Sequence, residues 1–117
     1  MQNILITLSA SPYGSERVLT SLRLTLALAS HANHPRLRLF LLSDAVITAM
    51  QGQAASANPS LGDMLQEAIS MGVETYVCRT CADARGLSEN RLIQGVKIGT
   101  MPELANWTLE ADKVLGF

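Results

Sequence analysis

The chain has 117 residues, 48% of them hydrophobic and 16% charged, and its formal net charge is −1. This is material for one domain with a mostly aliphatic core, and it provides no electrostatic footprint for nucleic acid or an anionic membrane as main partner. No apolar run approaches the ~18 residues of a membrane span, and the opening Met1-Gln2-Asn3-Ile4-Leu5-Ile6 lacks the basic region of a signal peptide, so a cytoplasmic location with reduced thiols is expected.

The first predicted element is a strand over residues 3–9, a nearly continuous apolar run that reads as buried on both faces. Pro12 and Gly14 then break regular structure, and Ser15 is placed to N-cap the first helix. Val18, Leu19, Leu22, Leu26, Leu28 and Ala29 recur at helical spacing, which predicts that helix over residues 16–31, ended by Asn33 and Pro35. A second strand is predicted over residues 36–43, with Asp44 at its carboxyl end capping a short helix over 45–50. Residues 51–59, rich in Gly, Ala, Ser, Asn and Gln, read as a surface loop. Ser60 and Asp63 form a capping-box pair for a helix that Gly72 ends near Met71. A third strand runs from Val73 to Cys78. After it come a helical turn over residues 87–92, a short strand at Val96-Lys97-Ile98, a helix starting at Thr100 with Pro102 and Glu103 in its first turn, and a last strand over 112–117. Trp107, at helical spacing, reads as core or subunit interface. Met50, Met64, Met71 and Met101 read as gap-fillers or interface residues.

Strands alternating with helices predict an α/β domain: a mostly parallel, five-stranded sheet with helices on both faces. Sites in such sheets form outside the carboxyl ends of the strands. The third strand should give way to a loop after Cys78, and the loop from Ser9 to Ser15, Asp44 and the Cys78 loop should therefore share one edge.

That segment, Cys78-Arg79-Thr80-Cys81-Ala82-Asp83-Ala84-Arg85-Gly86, holds both cysteines of the chain. A thiol reacts as its thiolate, and Arg79, Arg85 and backbone N–H groups are candidates to favour that form at Cys78. A thiolate at a strand end can accept sulfane sulfur as a persulfide, and Cys81 can attack or protect it. The plain alternative is that both cysteines are small apolar residues packed on the core. Zinc is disfavoured, because one Cys-x-x-Cys supplies two ligands of the four a structural site needs, and His31 and His34 belong to the end of the first helix. A thioredoxin-like pair should open a long helix, which the broken stretch from Ala82 to Gly86 does not predict. The Ser9 to Ser15 loop is a candidate anion cradle at a helix N-terminus, although it matches no full glycine-rich phosphate motif; a plain turn is the competing reading.

Taken together, Ala10-Ser11-Pro12-Tyr13-Gly14-Ser15-Glu16, Ser21-Leu22-Arg23-Leu24, Leu37-Arg38-Leu39-Phe40-Leu41 with Ser43-Asp44-Ala45-Val46, Cys78-Arg79-Thr80-Cys81 with Arg85-Gly86, Gly95-Val96, Ile98-Gly99-Thr100 and Trp107-Thr108-Leu109 with Ala111-Asp112-Lys113-Val114-Leu115 resemble the DsrE/DsrF-like sulfur-relay family and, within it, the YchN-type group. The resemblance spans essentially the whole chain. It implies a three-layer α/β/α fold, a single domain over residues 1–117 and a homo-oligomer, hexameric in that group. It also implies a sulfurtransferase-like carrier without cofactor or metal, in which Cys78 bears the persulfide between donor and acceptor proteins. On this reading Cys81 is an accessory thiol, Arg79 and Arg85 favour the thiolate, and Ser11, Tyr13, Gly14 and Asp44 wall the site. Two other functions are compatible with the residues: a non-catalytic oligomer binding a phosphorylated ligand or nucleotide at the Ser9 to Ser15 loop, and a Cys78/Cys81 thiol redox sensor.

Overall fold

Five strands lie in one sheet in the computed structural model, which describes residues 1–53 and 59–117. They are β1 (Asn3–Leu8), β2 (Arg36–Leu41), β3 (Glu74–Cys78), β4 (Lys97–Gly99) and β5 (Lys113–Gly116). Their order across the sheet is β4-β3-β2-β1-β5, and all four pairings are parallel, in register from Asn3 against Arg36 to Cys78 against Gly99. The helices are α1 (Arg17–Ala29), α2 (Leu61–Ser70), α3 (Arg79–Ala84) and α4 (Met101–Glu110), with 3-10 turns at Ser43–Ala49 and Glu89–Arg91.

The order of the strands decides which helix lies on which face. From β1 to β4 the chain steps across the sheet in one direction, and right-handed crossovers then keep α1, α2 and α3 on the same side. After β4 it returns to the far edge at β5, so the same handedness places α4 on the opposite face. The result is a three-layer α/β/α domain. Its main core is aliphatic: Ile4, Ile6, Leu8, Leu37, Leu39, Leu41 and Val77 of the sheet meet Val18, Leu22, Met64, Leu65 and Ala68 of the helices. The second, smaller core lies under α4 and joins Leu5, Phe40, Cys78 and Trp107, with Tyr76, Leu104 and Cys81 packed against it.

The helix ends follow local chemistry. The Ser60 and Asp63 side chains cap each other's backbone N–H groups, and Thr100 and Glu103 do the same at α4. At the end of α2 the N–H of Val73 reaches the Ala68 carbonyl and that of Gly72 the Ile69 carbonyl, with Gly72 at φ +92°; this paired closure requires a left-handed residue, the conformation glycine adopts without strain. Two caps depart from the expectation. The N-cap of α1 is Glu16, without a side-chain bond, and Ser15 accepts only a long 3.4 Å bond from the Arg17 N–H. Asp44 does not cap the turn after β2: that 3-10 turn begins on Leu42, and the Asp44 carboxylate is engaged elsewhere. The second strand also stops earlier than expected, because Ser43 takes φ +53° and turns the chain out of the sheet. Of the expected loop over 51–59, residues 54–58 lie outside the described residues.

Candidate functional site

The cysteine segment departs most from the sequence-based expectation. It is a helix, not a loop: α3 begins directly after Cys78, which serves as its N-cap residue with φ −63° and ψ 128°. The helix is short because Gly86, at φ +68°, closes it as Gly72 closes α2. The Leu87 N–H bonds the Ala82 carbonyl at 2.9 Å and the Gly86 N–H the Asp83 carbonyl at 3.2 Å. Strand β3 thus delivers Cys78 at its last residue, and the first turn of α3 carries Thr80 and Cys81 around it.

Cys78 is only 4% exposed. Its side chain belongs to the small core on the α4 side of the sheet, the one that also holds Leu5, Phe40 and Trp107, so the plain packing alternative is part of the answer. Packing does not account for its polar surroundings. The Thr80 hydroxyl lies 3.3 Å from the Cys78 sulfur. Burial pushes the Cys78 thiol up, but hydrogen bonds outweigh it and hold the thiol below its ordinary value; they come from the Thr80 hydroxyl, the backbone N–H and side chain of Cys81, and the Thr80 backbone. Cys81 is partly exposed and packs against the same small core. Neither cysteine is in a disulfide.

The basic residues are placed differently from each other. Arg79, the first residue of α3, is exposed. Arg85, in contrast, is held: its guanidinium donates to Asp44 Oδ1 at 2.9 and 3.1 Å and to the Cys81 carbonyl at 3.0 Å. These bonds bypass the Cys78 sulfur. Arg85 instead ties the turn that carries Cys81 to the chain just beyond β2. The structure therefore brings together Cys78, Cys81, Arg85 and Asp44. Ser11 and Gly14 are exposed in the β1–α1 loop. Tyr13 donates to the Gln53 side chain, which in turn donates to the Thr48 and Met50 carbonyls at 2.8 Å, so Tyr13 fastens its loop to the end of the 3-10 turn. Among the described residues no group of three or more His, Cys, Asp or Glu side chains is placed to hold a metal.

Thr80 was missed at the sequence level, although a hydroxyl two residues after a strand-ending cysteine was a usable signal. A second feature was also missed, on the α4 face. Arg38 is largely buried, pairs with Glu74 at 3.3 Å and Glu110 at 2.6 Å, and sets its guanidinium 4.8 Å from the Trp107 ring centroid. Trp107 meets Phe40 edge-on at 5.8 Å and Tyr76 at 4.4 Å. The small core on the α4 face, to which Cys78 belongs, is thus aromatic and charge-paired, unlike the aliphatic core on the other face.

Comparison with known proteins agrees with this architecture. The model of the DsrE/DsrF-like family matches residues 2–117. The chain is 47% identical over 117 residues to Protein YchN of Escherichia coli (strain K12), covering 100% of both, and 38% identical over 114 residues to the uncharacterized protein MK0008 of Methanopyrus kandleri, covering 97% of this chain and 93% of that one. The crystal structure of the E. coli YchN protein superposes with a TM-score of 0.94 over 100% of both chains, at 47% identity. The protein MTH1491 of Methanobacterium thermoautotrophicum shares the fold at a TM-score of 0.82 with 14% identity, over 100% of both chains. The chain belongs to the DsrE/DsrF-like family.

Proposed function

We propose that this protein is a sulfur carrier that accepts sulfane sulfur on Cys78 as a persulfide and passes it to an acceptor thiol. The observation that carries this reading is the polar environment of the Cys78 sulfur: a nearly buried thiol at the carboxyl end of a parallel strand, held below its ordinary pKa by the Thr80 hydroxyl and by Cys81. Burial alone would do the opposite. A thiolate attacks the sulfane sulfur of a donor persulfide, the donor leaves as its own thiolate, and the sulfur stays on Cys78 at the same oxidation level. Family membership supports sulfur relay as the class of function. The test is peptide mass spectrometry after incubation with inorganic polysulfide: the added sulfur, about 32 Da, is expected on Cys78 in wild type and in Cys81→Ser. Sulfur found on Cys81 and never on Cys78 would remove the assignment.

The relay reading includes a homo-oligomer, hexameric by family resemblance, acting with donor and acceptor proteins. Support comes from the α4 side, where a single helix crosses the sheet and Met101, Leu109 and Val114 stand exposed, Leu109 at 86%. Light scattering on wild type and Leu109→Lys tests it; a monomeric wild type would count against self-association.

A further inference from the structure

Cys78 and Cys81 differ in access. Cys78 belongs to the small core under α4 and is 4% exposed. Exchange at sulfur requires an incoming sulfur in line with the bond that breaks. A thiol or persulfide carried on another folded protein needs lateral room for that approach, and Cys78, 4% exposed as a residue, offers little. Cys81 packs against the same small core but is partly exposed. The two lie at i and i+3, adjacent positions on one turn. The Arg85 guanidinium fastens this turn by bonding the Cys81 carbonyl at 3.0 Å while paired with Asp44, so the outer thiol sits on an anchored backbone.

We infer that Cys81 is the port of the site: sulfur carried by a partner protein's persulfide arrives on Cys81, moves to Cys78 for storage, and leaves by the reverse path. This inference rests on the carrier reading. In the inward step the Cys78 thiolate attacks the terminal sulfur of the Cys81 persulfide. A sulfur–sulfur bond forms at Cys78, the one at Cys81 breaks, and Cys81 departs as a thiolate that takes up the persulfide proton. The sulfane sulfur keeps its oxidation level, so no oxidant or reductant enters. A small donor such as inorganic polysulfide would not need the port; a protein-borne donor would.

The experiment compares the two donors on wild type, Cys78→Ser and Cys81→Ser, with peptide mass spectrometry locating the added sulfur. Polysulfide is expected to load Cys78 in both wild type and Cys81→Ser. Its rate in each protein serves as the reference by which the albumin rate is divided, so that the loss of the Cys81 contact to the Cys78 thiol cancels. Coincident circular dichroism spectra show that the variant is folded. Persulfidated serum albumin is expected to load Cys78 in wild type, about tenfold or more slowly in Cys81→Ser, and to leave its sulfur on Cys81 in Cys78→Ser. Loading of Cys81→Ser by the albumin persulfide at the wild-type rate, on this scale, would overturn the port. So would conversion of wild type to a Cys78–Cys81 disulfide with release of sulfide, which would make Cys81 a resolving thiol. If polysulfide loads Cys78 in neither protein, the carrier reading itself falls, and the port with it.

Discussion

The two faces of the sheet are built differently. The face under α1 and α2 is a continuous aliphatic core in which Ile6, Leu8, Leu22, Leu39, Leu41 and Leu65 are fully buried. The face under α4 is small, aromatic and partly charged, and it holds Cys78. The first face is a general device for stability, since burying aliphatic side chains is worth about 1.5–3 kcal/mol each. The second keeps its polar groups by pairing them: Arg38 is largely removed from water but meets Glu74, Glu110 and the Trp107 ring. Chemistry that needs a shielded yet polarised sulfur suits the second face, because apolar walls exclude water while hydroxyl and N–H donors are still provided by the turn above.

Substitutions can break or sharpen this contrast. The largest expected effect is on stability. Trp107→Ala should cost about 3–5 kcal/mol and Leu39→Ala about 2–5 kcal/mol in urea denaturation. Only Trp107→Ala should also speed alkylation of Cys78 by iodoacetamide under native conditions, because only it loosens the small core to which that thiol belongs. Equal alkylation changes in the two variants would show that the faces are not separable.

A smaller effect is expected at the thiol itself. Thr80→Val removes a hydroxyl donor worth about 0.5–1.5 kcal/mol, so Cys78 alkylation at pH 7 should slow roughly two- to tenfold and its pH profile should move upward, while Thr80→Ser retains the wild-type profile. An unchanged profile in Thr80→Val would mean that the backbone donors suffice. Next comes Asp44→Asn, which loosens a partly exposed ion pair. It should change global stability by less than about 1 kcal/mol, yet increase hydrogen exchange at the amides of α3. Exchange rates equal to wild type would mean that the helix holds its place without Arg85.

The smallest effect concerns pH. Burial pushes the Glu74 carboxyl up, but its hydrogen bonds and charge attraction to Arg36 and Arg38 prevail and leave it below its ordinary value. Its folded pKa is therefore below its unfolded one. The associated stability is complete above the unfolded value and is lost as the pH falls through the lower folded value. Because Glu74 is half exposed, the stability gap between wild type and Glu74→Gln should be modest near neutral pH and close as the pH falls below the ordinary carboxylate range. A gap independent of pH would assign it to shape and not to charge.

Much of the fold was legible because its signals are local. The capping pairs at Ser60 and Asp63 and at Thr100 and Glu103 act over three residues, the glycine stop at Gly72 acts at one helix end, and continuous apolar runs announce strands covered on both faces. The position of Cys78 at a strand's carboxyl end followed from the same reasoning. The short helix after it was not foreseen, because six residues ending in Gly86 carry too little periodicity to show; its hydrogen bonds and the strand before it make it.

The types and order of most elements, several helix ends and the placement of Cys78 at a strand's carboxyl end were thus determined by the sequence itself, through interactions a few residues long. Tertiary structure alone decided three things. It set the strand order, which sends α4 to the opposite face. It paired Arg85 with Asp44 across 41 positions of chain, and so turned two residues read as a thiolate helper and a helix cap into one clamp. It also enclosed Cys78 while leaving Cys81 at the surface. These outcomes depend on which distant segments meet, and propensity at a single position contains no record of that.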